Sequence, residues 1–292
     1  MNVSIIIVNY NTKELTLQTI ASVFEKTTDI DFEVIVVDNA STDGSTEAIE
    51  NAFPEVKLIK SNENLGFGRA NNLGVTIATG RNLLFLNPDT LLINNAIKIL
   101  SDYLDNHKEV GVCGGNLYDA EMKPASSYHL SFSPLLFDIN SVMSKKLFPF
   151  IYGKNYTFNH TGKRKKVAHI VGANMMIKKF IFDQVGGFDK DYFMYREETE
   201  LNYRVYKKGY NTMSIPDAKI IHLESKSFSC NYNRTKCILD SRKLHYRKVG
   251  NQFTYIIGNI IYAIFSILRM CIFKINGNNE KVRYWKFILK NL

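Results

Sequence analysis

Several common signatures are missing from this chain, and each absence removes a class of protein. The 292 residues contain four cysteines, Cys113, Cys230, Cys237 and Cys271, whose spacing suits neither a zinc site nor a disulfide framework. They are expected to be ordinary thiols in a reducing compartment. A basic leader is lacking: Met1 runs straight into the apolar stretch 3–8, so no signal peptide is expected. No G-x-x-x-x-G-K loop is present, and no G-x-G-x-x-G follows the first apolar stretch. This excludes a Walker-type nucleotide site and argues against a dinucleotide oxidoreductase. Basic charge is also lacking where a nucleic-acid binder would need it. The net charge is +9, but from Arg234 onward there are 12 Lys/Arg against 2 Asp/Glu, which leaves 25 basic and 26 acidic groups in the first 233 residues. The basicity belongs to a tail, and no nucleic-acid partner is expected.

What is present is a strand–helix alternation over the first 115 residues. Apolar runs at 3–8, 33–37, 56–60, 81–86 and 110–113 read as strands buried on both faces. Between them lie helical patterns, the first with Leu17, Ile20, Ala21 and Phe24 at helical spacing behind Asn11 or Thr12 as cap. Further helices are predicted over 45–51, from the 62–68 loop to Ile77 with Gly80 closing it, and over 96–104. The alternation predicts a mostly parallel, three-layer α/β/α sheet. Residues 116–166 read as an irregular, partly helical cover. Strand character returns at 168–177, a helix is predicted over 197–208, and short separate strands at 212–215 and 218–221. The expected organisation is one α/β domain over 1–233, with halves 1–115 and 116–233, and a helical tail over 234–292.

The most informative stretch is Leu83-Leu84-Phe85-Leu86-Asn87-Pro88-Asp89. Pro88 stops the strand, and Asp89 is delivered just beyond its carboxyl end, where open α/β sheets bind ligands. The carboxylate suits Mg²⁺ or Mn²⁺ completed by substrate phosphates. Asn9, Asn11 and Asp38 follow two other strands. Asp38 can accept from a base N–H or a ribose hydroxyl, or can equally form an Asx turn. Asn64, Gly66 and Arg69 open a helix whose N–H groups can face a diphosphate; a plain helix entry is the alternative. Glu197, Glu198 and Glu200 begin a helix, where acids are favoured, and Glu200–Arg204 is an i,i+4 pair. Glu197 and Glu198 together exceed what capping needs, and one of them can act as a base toward a hydroxyl. His222, at a strand end, is a candidate late metal or phosphate contact.

The tail carries an apolar run at 254–273, near the length of a membrane span. However, Tyr255, Asn259, Tyr262, Ser266 and Arg269 form one polar stripe, and basic residues flank the run on both sides. An amphipathic helix lying in an anionic membrane interface is expected, ahead of a helix packed on the core or a true span.

The ordered set Ser4-Ile5-Ile6-Ile7-Val8-Asn9-Tyr10-Asn11, Val37-Asp38-Asn39-Ala40-Ser41, Asn64-Leu65-Gly66-Phe67, Phe85-Leu86-Asn87-Pro88-Asp89, Gly172-Ala173-Asn174-Met175-Met176 and Gly186-Gly187-Phe188-Asp189 resembles the family 2 glycosyltransferases, most of all their rhamnosyltransferase-like branch. The resemblance spans roughly 3–225. It implies a GT-A fold and inverting, metal-dependent transfer from a nucleotide-diphosphate sugar. It places Asp38 on the nucleobase and Asp89 at the last position of the DXD-type motif, where Asn87 replaces the first acid. It assigns Glu198 as general base, with Glu197 as the alternative, and His222 near the metal and diphosphate. Gly172, Ala173, Asn174 and Asp189 would border the acceptor. Glu198 stands where the family usually has Asp. The implied donor is thymidine-diphosphate rhamnose or a uridine-diphosphate hexose. The implied acceptor is a saccharide, lipid-linked or an O-antigen precursor, at the cytoplasmic membrane face. A membrane-docked, non-catalytic nucleotide-binding scaffold is the alternative.

Overall fold

The computed structural model describes residues 1–143, 145–223 and 231–292; Cys230, one of the four expected thiols, lies outside them. The chain runs β1 (Val3–Asn9), α1 (Lys13–Lys26), β2 (Phe32–Asp38), α2 (Ser45–Ala52), β3 (Lys57–Lys60), α3 (Phe67–Val75), β4 (Asn82–Leu86), β5 (Thr90–Leu92), α4 (Ala96–Asn106) and β6 (Val110–Tyr118). It continues through β7 (Tyr128–His129), α5 (Pro134–Val142), α6 (Leu147–Tyr152), β8 (Lys165–Val167), β9 (His169–Ile170), β10 (Asn174–Lys178), α7 (Lys179–Val185), α8 (Glu197–Lys207) and β11 (Asn211–His222). Three helices close it: α9 (Asn231–Lys248), α10 (Gln252–Ile275) and α11 (Asn279–Lys290).

Nine strands form one mixed sheet in the order β3-β2-β1-β4-β10-β6-β11-β5, with β8 also paired to β11. β1–β4, β6 and β11 run one way, and β5, β8 and β10 the other. The predicted mostly parallel α/β/α architecture is therefore present. Side chains alternate across the sheet as the strand period requires. Ile5, Ile7, Val34, Val36, Leu84 and Leu86 pack beneath one helical layer. Ile6, Ile35, Leu83 and Phe85 pack beneath the other, where Phe85 meets the Phe188 ring edge-on at 4.8 Å.

Several local expectations change once the strands are paired. The two short strands predicted at 212–215 and 218–221 are one strand, β11, with a register shift between Ile215 and Lys219. Pro216 lacks an N–H and interrupts the ladder, but the strand continues past it as an irregularity. The strand predicted at 168–177 is split: β9 pairs with β7 in a separate two-stranded sheet, and only β10 enters the main one. Thr12 is the N-cap of α1, yet its hydroxyl donates to Asn9 Oδ1 and gives no cap bond; Asp43 Oδ2 accepts from the Lys13 N–H instead, at 2.9 Å. α3 ends at Val75, so Gly80 does not close it. A Cβ at Gly80 would lie 2.3 Å from the Ser4 backbone nitrogen, so this glycine permits close chain packing.

The order of the parallel strands fixes where a site can form. From β1 the chain builds outward through β2 and β3, then returns so that β4 lies on the other side of β1. Loops leaving β1 and β4 therefore diverge, and the crevice between them is where such sheets take ligands. β1 ends at Asn9, and β4 runs directly into Asn87-Pro88-Asp89.

The tail is fastened to the α/β body by a buried polar node. Arg242 of α9 donates to Asp138 of α5 through Nε at 2.8 Å and to Asn259 of α10 through Nη1 at 2.8 Å. Tyr246 donates to the same Asp138 Oδ2 at 2.5 Å. Arg242 is 2 % and Asp138 0 % exposed. The polar stripe of α10 turns inward, toward the protein. Tyr262 reaches Ser141 Oγ at 3.1 Å, Tyr255 donates to the Leu292 carbonyl at 3.1 Å, and Ser266 is buried. The apolar face turns outward, with Ile256, Ile260, Ile264, Ile267, Leu268 and Ile272 between 49 and 56 % exposed. By length and composition α10 could also cross a membrane.

Candidate active site

Three layers of contacts assemble at the carboxyl edge of the sheet. The innermost holds Asp38. Asn9 is buried and donates through Nδ2 to Asp38 Oδ1 at 2.7 Å and to Ser41 Oγ at 3.0 Å. Its Oδ1 accepts from Thr12 and from Thr16, both at 2.8 Å. Asn9 thus spends its hydrogen-bonding capacity inside the protein, and its work here is to hold the Asp38 carboxylate. Asp38 Oδ2 accepts from the Ser41 N–H at 3.0 Å, so the turn expected of it is formed. The carboxylate still has lone pairs for a ligand. Asn11, at φ 53°, accepts from the Thr42 N–H at 2.8 Å and braces the neighbouring loop.

The second layer joins the 64–68 turn to this loop. Asn39, next to Asp38 in the motif, donates to Asn64 Oδ1 at 3.0 Å and to the Gly66 carbonyl at 3.1 Å, and accepts from the Leu65 N–H at 2.9 Å. Gly66 has φ 77°, and a Cβ there would lie 2.0 Å from the Phe193 carbonyl oxygen. No side chain fits, and the Phe67 N–H bonds that same carbonyl at 3.0 Å. Gly66 therefore docks the 190s loop directly onto the start of α3. Arg69 is exposed and donates through Nε to the Leu65 carbonyl at 2.8 Å.

The third layer carries the acids. Asp89 is buried, and its Oδ1 lies 3.3 Å from His222 Nε2; Asn87 Nδ2 is also 3.3 Å from that nitrogen. The antiparallel pairing of His222 with Thr90 brings these two distant segments together. The Asn87 N–H donates to the Ala173 carbonyl at 3.1 Å. Next to Ala173, a Cβ at Gly172 would lie 3.3 Å from the Phe67 ring and 3.9 Å from Glu198 Cβ. The turn 172–173 thus links the Asp89 loop to the start of α8.

Tyr195 and Arg196 both have left-handed backbone, φ 73° and 69°, immediately before α8. Such strain in non-glycine residues persists only where surrounding contacts enforce it, and it turns Glu197 and Glu198 into the site region. Glu200 is accounted for by its two-pronged pair with Arg204, 2.7 Å on each side. Among the described residues, Glu197 and Glu198 have no such pair. Burial, then the neighbouring Glu198 charge, holds the Glu197 carboxyl well above the usual range. Its Oε2 is buried without a hydrogen-bond partner among the described residues. Burial also raises Glu198, but backbone N–H groups, the Thr199 hydroxyl and the Arg196 charge oppose the rise. Of the pair, Glu197 is raised the further. Thr199, and behind it His169, were not found from the sequence; His169 lies on a different strand, with no local signal.

Two predicted acceptor-side residues are occupied elsewhere. The Asn174 side chain is buried and accepts the Gly115 N–H at 2.9 Å, which ties β10 to β6. Asp189 accepts the Asp191 N–H at 3.0 Å and pairs with Lys248 of α9 at 2.6 Å.

No cluster of three or more His, Cys, Asp or Glu capable of holding a metal occurs among the described residues. Asp89 and His222 supply one carboxylate and one imidazole. That donor set fits a divalent cation whose remaining positions are filled by diphosphate oxygens.

Residues 4–186 match the Glycosyl transferase family 2 profile, well over half of the chain, and the protein belongs to that family. Glu197, Glu198 and His222 lie beyond the matched stretch. The chain is 29 % identical over 210 residues to the N-acetylglucosaminyl-diphospho-decaprenol L-rhamnosyltransferase of Mycobacterium tuberculosis, covering 66 % of this chain and 67 % of that protein. It is 24 % identical over 271 residues to the dTDP-rhamnosyl transferase RfbF of Shigella flexneri, covering 91 and 83 %. Among solved structures, the Pyrobaculum calidifontis mannosyltransferase PcManGT in complex with GDP-Man and Mn²⁺ superimposes with a TM-score of 0.55 at 16 % identity, over 99 % of this chain and 85 % of that one. This last likeness concerns the fold, which is GT-A as expected. Family membership favours an enzyme over a non-catalytic scaffold.

Proposed function

We propose that the protein transfers a sugar, with inversion, from a nucleoside-diphosphate sugar to a hydroxyl of a lipid-linked saccharide at the cytoplasmic face of the membrane. The observation that carries this reading is the bridge from Asp89–His222 through Ala173 and Gly172 to Glu198, built across the strand-order reversal. The rhamnosyltransferase relatives support thymidine-diphosphate rhamnose as donor, with a uridine-diphosphate hexose as runner-up. The relative acting on a diphospho-decaprenol supports a polyprenyl-linked acceptor.

In this reading Asp38, held by Asn9, takes the base or ribose with its remaining lone pairs. The N–H groups of Leu65, Gly66 and Phe67 are bonded within the protein, so at the α3 entry it is the exposed Arg69 that serves the diphosphate. Asp89 and His222 would hold a Mg²⁺ or Mn²⁺, and the chemistry such an ion would supply there is charge neutralisation of the nucleoside diphosphate. Glu198 accepts the acceptor hydroxyl's proton as that oxygen bonds the anomeric carbon and the carbon–diphosphate bond breaks on the opposite face. Gly172 and the Phe67 ring bound the acceptor side. Burial makes Glu198 a stronger base than a free carboxylate.

The outward apolar face of α10 supports seating in a bilayer surface, with flanking Lys and Arg toward anionic headgroups. Lying flat keeps the inward polar stripe on the protein.

The test is turnover with a panel of nucleotide sugars, with and without chelator. Glu198→Gln is expected to lower turnover about 10³-fold while nucleoside-diphosphate binding is retained. Asp89→Ala is expected to lose both turnover and metal-dependent donor binding. Full turnover in either variant overturns the assignment.

A further inference from the structure

Glu198 is backed by two residues that the transfer reaction itself does not call for. Thr199 Oγ1 lies 3.3 Å from Glu198 Oε1 and 3.2 Å from His169 Nε2. Both Thr199 and His169 are buried. An ionised carboxylate can only accept, so the single hydroxyl proton of Thr199 points to Glu198. With its proton on Nε2, the neutral imidazole donates to that hydroxyl oxygen, and the chain runs imidazole to hydroxyl to carboxylate.

A threonine in the first turn of a helix ordinarily bonds its own backbone or water. Here it reaches out of α8 to β9, a two-residue strand that pairs only with β7. That pairing sets His129 against His169, ring centroids 5.0 Å apart, and the Phe132 and Phe137 rings lie at 6.1 and 6.0 Å. Burial, with the His129, His245 and Arg196 charges, pushes the His169 imidazole well below its usual range, so it is neutral at physiological pH. The charged or titratable groups facing this chain are Arg196 just before α8, Glu197 on α8, His129 on β7 and His245 on α9.

We propose that Thr199 and His169 are positioning residues for the base, holding Glu198 Oε1 so that its other oxygen faces the acceptor hydroxyl. This rests on the assignment of Glu198 as base. A carboxylate free to rotate would present either oxygen at the wrong angle, and small misplacements cost rate steeply. The contact also stabilises the ionised form, so removing it raises the Glu198 pKa and moves the acid limb of the pH profile to higher pH.

The experiment is the pH dependence of kcat/KM for Thr199→Val, Thr199→Ser and His169→Leu, with nucleoside-diphosphate affinity measured alongside. Thr199→Val is expected to shift the acid limb upward by about one pH unit and to lower kcat about tenfold, with nucleoside-diphosphate affinity unchanged. Thr199→Ser keeps the hydroxyl and should restore the limb, and His169→Leu should shift it in the same direction by less. An acid limb in Thr199→Val that superimposes on the parent's overturns the proposal. Glu198→Gln separates the two ideas: if it stays active, the base assignment fails. If it is inactive while the Thr199→Val limb does not move, only the positioning role fails.

Discussion

The sheet edge and the helical tail solve opposite problems with the same polar residue types. At the edge, apolar strands are buried and polar side chains are carried past their ends, where Asn9 holds Asp38, Asn39 ties down the 64–66 turn and Thr199 bonds Glu198. In the tail the polar side chains of α9 and α10 point into the protein, at Asp138, Arg242 and Asn259, and the isoleucines point out. The first arrangement suits a polar ligand in water. The second suits a helix whose outer neighbour is hydrocarbon, because burying α10's stripe satisfies its hydrogen bonds while the exposed isoleucines gain only if something apolar covers them.

The largest effect on this contrast should come from its buried anchor. Asp138→Ala leaves the Arg242 guanidinium buried and unpaired, and is expected to cost about 3–5 kcal/mol, read by urea denaturation. A loss below 1 kcal/mol would mean the tail is held by something other than this node. Next comes the outer face. Replacing Ile260, Ile264 and Ile267 together by Asp should weaken binding to anionic vesicles by on the order of tenfold per site, with soluble-acceptor turnover unchanged. Retained vesicle sedimentation would remove α10 as the docking element.

At the site, Glu197→Gln sharpens the comparison through pH. The folded-state pKa of Glu197 is raised above 4.5, so the protonated form is favoured on folding. The stability it contributes is present below about pH 4.5 and declines as pH rises through the raised value. The variant cannot ionise, so its melting temperature should exceed the parent's progressively from pH 5 upward; parallel curves would show that Glu197 is not buried as a neutral acid. The smallest effect belongs to the Lys248 contact with Asp189 and Asp191, which joins tail to body at the partly exposed surface. Lys248→Met is expected to cost no more than about 1 kcal/mol by thermal denaturation.

Much of this was legible from the sequence because it depends on neighbours in the chain. Four apolar residues followed by Asn87-Pro88-Asp89 identify a buried strand and its terminal carboxylate, and Glu200–Arg204 is visible from helical spacing alone. The strands expected separately at 212–215 and 218–221 join through Pro216, since a missing N–H weakens one ladder position without ending a strand paired with β6 along both of its parts. Asn174 and Asp189 were placed beside the acceptor by motif order. Motif order cannot say which way a side chain points, and they bond to Gly115 and Lys248. The α10 stripe was visible, but which face meets the protein was not.

The sequence by itself determined the family, the strand ends that carry Asp38 and Asp89, and the amphipathic character of the tail, because these follow from local pattern and spacing. Tertiary structure alone decided that His222 meets Asp89, that Gly66 admits the Phe193 carbonyl, that His169 stands behind Thr199 and Glu198, and that α10 turns its polar side inward. Each of these joins segments far apart in the chain. Only strand pairing and helix packing, driven by burial of the apolar faces between them, bring such segments within hydrogen-bonding distance.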